Sequence, residues 1–420
     1  MSPDRCASRD IIGALPVKRL LFLLFAALPI AAQNDAAALL MNQAGGTSAN
    51  PASSRAHVMF NAGSWHLMLH GLASLNDVDA SGSRGGEKIF STNWAMLSAQ
   101  HPLGGGHLLL RTMLSLEPAT ISERRYPELF QTGETAFGKQ LIDGQHPHEF
   151  FMELAAEYAR GFGASTVGYL YLAPVGDPAL GPVGFPHRDS ANEIPQAPIG
   201  HHYEDSTHIS SNVITAGISF RLLRIEASAF HGAEPDEHRW DLDGGMPDSE
   251  SVRLVLTPLR SLSAQISYGY LTKPEKLEPG DQKRTTASIS YTLGGWATSA
   301  IWGRVYKESH DNAIVAITLE STLRIGRRHT FAVRFEDAEK DELFVHRHPS
   351  GQIERPALPV PTFRIRAATA GYTFDFVRRG AMAIGVGGNY TWYRFPGILN
   401  GFYSERPRTR MLYLRMRVGA

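Results

Sequence analysis

The sequence has almost no cysteine, since Cys6 is the only one among 420 residues. Cys6 lies in an N-terminal segment that we expect to be removed, so disulfides and thiolate metal sites are excluded from the mature chain. Net charge is also absent, because 41 basic residues balance 41 acidic ones. This balance gives no indication of a nucleic-acid partner. Beyond the N-terminus, no apolar run approaches the length of a membrane-spanning helix.

Residues 1–32 have the pattern of a secretory signal peptide. Lys18 and Arg19 precede the apolar run Leu20–Ile30, which is too short to span a bilayer, and two alanines follow it. We therefore expect cleavage after Ala32 and export of the mature chain. Residues 33–56 are rich in Ala, Asn, Gly and Ser and show no durable period, so they are predicted to form a flexible leader.

Apolar and polar residues alternate along most of the remaining chain. In Ser261–Leu271, for example, Leu262, Ala264 and Ile266 alternate with serine and glutamine. A period of two is typical of a β-strand whose two faces meet different surroundings. The sixteen candidate strands lie near residues 65–75, 88–99, 107–117, 148–159, 165–173, 207–220, 223–231, 250–257, 261–271, 284–293, 296–306, 311–323, 329–337, 362–376, 381–394 and 408–418.

The connections between these candidates alternate between short and long. The short ones are 100–106, 160–164, 221–222, 258–260, 294–295, 324–328 and 377–380, and the long ones include 118–147, 174–206, 232–249 and 338–361. An even number of strands of about ten residues, with tight turns at one end only, is the layout of an outer-membrane barrel. The candidate 148–159 also fits a helix, but a helix there would place the connection 174–206 at the short-turn end. We therefore interpret it as a strand.

We accordingly predict an all-β fold, a transmembrane antiparallel β-barrel of about 16 strands spanning residues 57–420. Short turns should face the periplasm, and the long loops should be extracellular. The predicted location is the bacterial outer membrane, with outer-membrane lipid and the barrel assembly machinery as partners. The alternative architecture is a secreted soluble β-protein, such as a sandwich or propeller.

Residues 57–420 resemble a bacterial outer-membrane β-barrel of porin-like size. The runs Gln131–Thr135, Gln145–His148 and Gly200–Ser210 are similar to those of an uncharacterised exported barrel family. That family brings no established activity, so the resemblance implies the fold and leaves the function open.

Charged residues of both signs lie on the strand faces predicted to point inward. They imply a hydrated lumen and a channel for the passive passage of small polar solutes, without a preference for cations or anions. The more conservative reading is that these groups only pair with one another across a wet interior. The predicted lumen residues are Arg111, Glu153, Glu157, Arg224, Glu226, Arg253, Glu320, Arg334, Glu336, Arg415 and Arg417.

Histidines concentrate in and beside two of the predicted long loops. With Asp205 they offer nitrogen and carboxylate ligands at short spacing, which suits zinc or copper. The two strands that follow these loops are separated by one other strand, so we expect their ends to lie roughly 10 Å apart. The alternative is that the histidines merely cap the barrel. The predicted metal ligands are His146, His148, His201, His202, Asp205 and His208.

Two further patterns carry chemistry. His66, Met68 and His70 share one face of a predicted strand, and a thioether beside imidazoles favours copper. His208 and Ser210, with Asn212, resemble the His and Ser pair of outer-membrane phospholipase A, which would make Ser210 the nucleophile and His208 the base. The match is incomplete, because Asn212 lies on the same strand, so lipid hydrolysis is the alternative function.

Overall fold

The structure, a computed structural model, describes residues 35–54, 58–278, 280–308, 313–344 and 361–419. The predicted signal peptide lies outside these residues. In chain order the strands are β1 (Gln43–Gly45), β2 (Ser48–Ala49), β3 (Val58–Ala62), β4 (Trp65–Ala80), β5 (Gly86–Leu103), β6 (Gly106–Leu114), β7 (Tyr126–Ala136), β8 (Lys139–Gln145), β9 (Phe151–Phe162), β10 (Thr166–Gly176), β11 (Ser210–Phe220), β12 (Leu223–His231), β13 (Ser249–Leu259), β14 (Leu262–Leu271), β15 (Gln282–Leu293), β16 (Trp296–Lys307), β17 (Ile314–Ile325), β18 (His329–Lys340), β19 (Phe363–Arg379), β20 (Met382–Arg394) and β21 (Arg408–Val418).

In the described residues, helices are few and short. The α-helices are Ala36–Met41, Glu117–Thr120, His201–Glu204 and Asn400–Tyr403, and the 3-10 helices are Ser122–Arg124, Phe185–His187, Ser206–His208 and Gly397–Leu399. No helix in the described part of the chain is long and apolar enough to cross a membrane.

Sixteen of the strands, β4 to β6 and β9 to β21, form one closed antiparallel barrel. It closes where β21 pairs with β4, with Val418 opposite Gly71 and Thr409 opposite Ala80. β3 pairs with Trp65–Leu69, the residues of β4 that precede the part paired with β21. The predicted strand count and barrel fold are confirmed. The ambiguous candidate 148–159 is a strand, β9, paired with β6 and β10.

The two faces of the barrel wall differ as the alternation predicts. Large apolar side chains such as Ile89, Ile218, Leu254, Phe335 and Leu414 are exposed on the outside. An apolar outer band of this kind suits hydrocarbon and would be costly in water, so the soluble alternative is wrong. The protein is an outer-membrane β-barrel, and it is located in the bacterial outer membrane.

The N-terminal segment differs from the prediction of a flexible leader. Residues 36–49 form a helix and the β1–β2 hairpin, and Leu40, Gln43 and Thr47 are almost fully buried. Gln43 bonds with Glu157 and Arg111, and Thr47 accepts a bond from Arg253. These partners are inward-facing strand residues, so the segment lies inside the barrel. Its composition did not indicate this, because small polar residues are compatible both with the interior of a barrel and with exposure to solvent.

The connection between β10 and β11 also folds inward. It was predicted to be an extracellular loop, but nearly all of residues 177–209 are buried. We call residues 177–209 the inner segment. It contacts the wall on many strands: Gly181 bonds with Ser267, Ser190 with Ser299, and Gln196 with Asn389. The β7–β8 hairpin also contacts it, since Gln131 on β7 donates to the carbonyl of Pro198. The lumen of this conformation is therefore filled rather than open.

The orientation of the barrel can be tested with tags at its two ends. Gly244 is exposed in the long loop 232–248, whereas Gly294 is exposed in the short turn after β15. Because tight turns face the periplasm in such barrels, a tag inserted at Gly244 should be labelled on intact cells. A tag at Gly294 should be labelled only after the outer membrane is opened. The reverse pattern would show that the orientation is inverted.

Candidate functional site

Five histidines meet where the loop before β9 contacts the inner segment. The ring of His202 lies 5.9 Å from that of His146 and 5.1 Å from that of His201. The ring of His208 lies 5.2 Å from that of His201 and 5.4 Å from that of His148. All five rings are buried. We call these residues the histidine cluster. The two histidine-bearing stretches that the sequence singled out are thus brought together.

Local structure explains the position of each ring. His146 and His148 follow directly after β8, on either side of Pro147. His201 and His202 are in the helix His201–Glu204, and His208 ends the 3-10 helix Ser206–His208. Gly133 on β7 allows His202 to approach closely, because a Cβ there would lie 2.5 Å from Nδ1 of His202. Its φ of 121° also favours glycine.

Asp205 bonds with two rings of the histidine cluster, those of His201 and His208. Its Oδ1 lies 2.5 Å from Nδ1 of His201, and its backbone carbonyl accepts a bond of 2.8 Å from Nδ1 of His208. Its Oδ2 accepts a bond of 2.6 Å from Arg188. Both carboxylate oxygens are therefore engaged. Asp205, which was predicted as a metal ligand, is thus bonded to His201, His208 and Arg188 in this structure.

Two glutamates that the sequence analysis missed hold the other rings. Glu117 accepts a bond of 3.0 Å from Nδ1 of His148, and Glu134 lies 3.0 Å from Nε2 of His146. A histidine whose Nδ1 bonds a carboxylate or carbonyl, with Nε2 left over, has the arrangement typical of metal ligands. Within the described residues, Nε2 of His148, His202 and His208 has no hydrogen-bond partner. His148 and His208 have this arrangement, whereas neither ring nitrogen of His202 has a hydrogen-bond partner among the described residues.

The cluster is not a preassembled coordination sphere. Among the described residues, one group alone brings three His, Cys, Asp or Glu ligand atoms within 4.8 Å of one another, namely Glu275, Glu278 and Glu342. The ammonium group of Lys307 already contacts Glu278 at 2.7 Å and also Glu342, which offsets part of the negative charge of that group. An ion in the histidine cluster would therefore require rotation of the imidazoles towards a common point.

Burial keeps most of these imidazoles neutral. Desolvation lowers the pKa of His201 to about 4 against the opposing charge of Asp205. Desolvation and the neighbouring His146 lower the pKa of His202 to about 3. Burial and His201 also lower the pKa of His208. Neutral imidazole is the form that binds a metal, so a proton does not compete at these three rings near neutral pH.

The predicted lumen residues all face the interior and are buried. Most are paired with one another: Arg111 lies 3.1 Å from Glu153, and Arg253 lies 2.8 Å from Glu226. Tyr169 also points inward, and its hydroxyl donates to Glu226. The charges thus form a buried and largely paired network in this conformation.

The inner segment supplies charges that the sequence analysis missed. Arg188 bonds with Glu320 at 2.5 Å, and Glu193 accepts bonds from Arg415 and Arg417. The backbone of Ile199 donates to Glu336. Arg188 and Glu193 stand in a stretch that looks like an ordinary polar loop, and alternation gives no signal there. Only the length of the connection could have indicated that it does more than link two strands.

The lipase-like residues do not form a catalytic pair. His208 precedes β11, and its Nδ1 bonds with the backbone of Asp205. Ser210 donates to the carbonyl of Thr207, and Asn212 donates to that of Gly245. No hydrogen bond between His208 and Ser210 is present among the described residues. The expectation that His208 shares a strand face with Ser210 and Asn212 is wrong, because the 3-10 turn ends before the strand begins.

A scan against protein-family models gives no match, and a search of curated protein sequences gives none either. Solved structures do match. Salmonella typhi OmpF, in a complex with daunomycin, is 9% identical with a TM-score of 0.50, over 86% of this chain and 100% of that one. OmpT of Vibrio cholerae, expressed in the outer membrane, is 7% identical with a TM-score of 0.50, over 86% and 100%. At these identities the likeness shows the fold alone: the chain has the porin-like fold of an outer-membrane β-barrel.

Proposed function

We propose that the protein is an outer-membrane channel for small polar solutes that is closed in the described conformation and opens when the inner segment leaves the lumen. The observation that supports this proposal is that charged residues of the inner segment bond with charged residues of the barrel wall. Arg188 and Glu193 bond with the wall residues Glu320, Arg415 and Arg417, which would otherwise line a pore. The segment occupies the solute path by satisfying its charges.

The chemistry of this attachment is suited to release. Two charges that pair in a dry interior lose their hydration, and that cost offsets much of their attraction. When the segment leaves, water can solvate both the wall charges and the segment charges. The surface of an apolar plug, by contrast, would not be stabilised by water after the plug leaves the lumen. The displaced state would therefore have a hydrated lumen with both signs of charge.

We further propose that a transition metal, zinc or copper, binds at the histidine cluster and favours the closed state. His146 and His148 belong to the loop before β9, whereas His201, His202 and His208 belong to the inner segment. An ion shared between them would tie the segment to its neighbour. A ligand that binds one conformation stabilises it in proportion to the logarithm of its concentration over Kd.

A reversible lock on the inner segment tests the channel. The hydroxyl oxygens of Ser190 and Ser299 lie 2.8 Å apart, so cysteines at both positions can form a disulfide between segment and wall. In a chain without Cys6, we expect the oxidised S190C/S299C variant to be non-conducting in planar bilayers. Reduction should restore the conductance of the wild type, because the segment is freed.

The single variants Ser190→Cys and Ser299→Cys are the controls, since neither can form the bridge. Their conductance should not respond to the oxidant. Equal conductance of the locked and reduced double variant would show that solutes pass without movement of the segment. Absence of conductance in the wild type under all conditions would overturn the channel itself.

The metal proposal predicts that purified protein binds Zn²⁺ or Cu²⁺ at neutral pH. His146→Ala and His202→Ala should each weaken the affinity by roughly tenfold or more, because each removes an imidazole of the cluster. His238→Ala is the matched control, since its exposed ring bonds only with the neighbouring Asp236. Calorimetry would reject the site if no metal binds, or if the cluster variants behave like His238→Ala.

The lipase alternative predicts phospholipid hydrolysis that depends on Ser210, and we expect none. Because Ser210 and His208 bond with separate backbone carbonyls, we expect no phospholipid hydrolysis above background in the wild type. Ser210→Ala should then leave the measured rate unchanged in an assay with phospholipid micelles. A clear wild-type rate that disappears in Ser210→Ala would replace the channel with an enzyme.

A further inference from the structure

A second group of ligand-type side chains lies on the inner wall, where three neighbouring strands place them in a row. His70 on β4 is directly opposite Met96 on β5, and Met96 is directly opposite Met113 on β6. All three face the interior and are buried. Neighbouring strands lie about 5 Å apart, so Met96 is within reach of both His70 and Met113.

The inner segment adds a fourth donor to this row. His187 points its Nε2 at the sulfur of Met113, at a distance of 2.7 Å. The His187 ring lies 5.9 Å from that of His70. Trp94 covers both rings, with its centroid 4.2 Å from that of His187 and 5.1 Å from that of His70. We call His70, Met96, Met113 and His187 the thioether–imidazole cluster.

A cavity of about 320 Å³ borders the cluster. His70, Trp94 and His187 form part of its lining. Three methionines from separate elements, Met41, Met59 and Met68, also line it. Methionine sulfurs are therefore present in the lining of the cavity as well as in the cluster.

The sequence pattern that favoured copper is only partly realised. Met68 and His70 do face the interior, Met68 at the cavity and His70 in the cluster. His66 has the same parity but is exposed, and its Nδ1 bonds with the side chain of Asn61. The partners of His70 come from β5, β6 and the inner segment, which strand alternation alone does not bring together.

We infer that the thioether–imidazole cluster binds a soft monovalent ion, Cu⁺ or Ag⁺. Thioethers and imidazoles suit Cu(I), whereas Mg²⁺, Ca²⁺ and Mn²⁺ prefer carboxylate, carbonyl and water ligands. Glu153, directly opposite Met113, already bonds with Arg111 and Tyr171, and Asp189 lines the adjoining cavity. The donor set therefore selects for softness and low charge.

This site is separate from the histidine cluster, and the inference does not rest on the proposed channel. The two lie on opposite sides of the 3-10 turn Phe185–His187. Phe185 contacts the rings of His148 and His201, whereas His187 contacts His70 and Met113. The two sites also differ in donor type, one with nitrogen donors alone and the other with nitrogen and sulfur.

Competition with a chromophoric Cu(I) chelator tests the inference on the purified full-length barrel in detergent, under reducing anaerobic conditions. We expect one Cu⁺ per chain. Met113→Leu and His187→Asn should each weaken the affinity by roughly tenfold or more, because each removes a donor. Met411→Leu is the matched control: Met411 is also buried and inward-facing, but it packs with Val78, Phe90 and Tyr126.

Silver provides a second readout that does not depend on reducing conditions. Ag⁺ should quench tryptophan fluorescence in the wild type, and Trp94→Phe should lose most of this quenching while still binding the ion. Thermal unfolding of each variant, measured without metal, identifies any that fail to fold. Leucine conserves the volume of methionine, so Met113→Leu should remain folded.

The inference would be overturned if no Cu⁺ or Ag⁺ binds, or if Met113→Leu and His187→Asn bind as tightly as Met411→Leu. His146→Ala and His202→Ala separate the two sites, because they should weaken Zn²⁺ binding and leave Cu⁺ binding unchanged. Loss of Cu⁺ binding in those variants would assign both ions to the histidine cluster. Failure of the conductance experiment would not bear on any of these results.

Discussion

Closure of the barrel is the constraint on which the rest of this structure depends. Hydrocarbon offers no partner to a free backbone N–H or C=O group, so β21 must pair with β4. Closure gives every strand an outside and an inside, and the alternation of side chains follows. Apolar residues such as Ile218 and Leu414 take the outside. The charged residues are then confined to a narrow interior.

Charges confined in this way need partners, and the inner segment provides them. A buried ion without a partner costs several kcal/mol, whereas a paired one is close to neutral in free energy. Arg188 and Glu193 on the segment, and Gln43 and Thr47 near the N-terminus, complete the network of the wall. The filled lumen is therefore a consequence of charge pairing as much as of packing. This is why the channel proposal requires the segment to move.

The same segment builds both candidate metal sites. It contributes His201, His202 and His208 to one and His187 to the other. A single movement of the segment would therefore open the lumen and disassemble both sites. Metal binding and closure would be thermodynamically linked, since an ion that needs the closed arrangement also favours it.

The sequence by itself determined the barrel. Strict alternation and the order of short and long connections located all sixteen strands, including β9, because side-chain parity follows directly from strand geometry. It also singled out the residues of the histidine cluster, since two loops that precede strands separated by only one other strand can meet. Tertiary structure alone decided that residues 36–49 and the inner segment are folded inside, that Asp205 orients histidines, and that His70, Met96, Met113 and His187 share a site. The physical reason is that these outcomes depend on register between strands and on loop paths, and a local period in the sequence specifies neither.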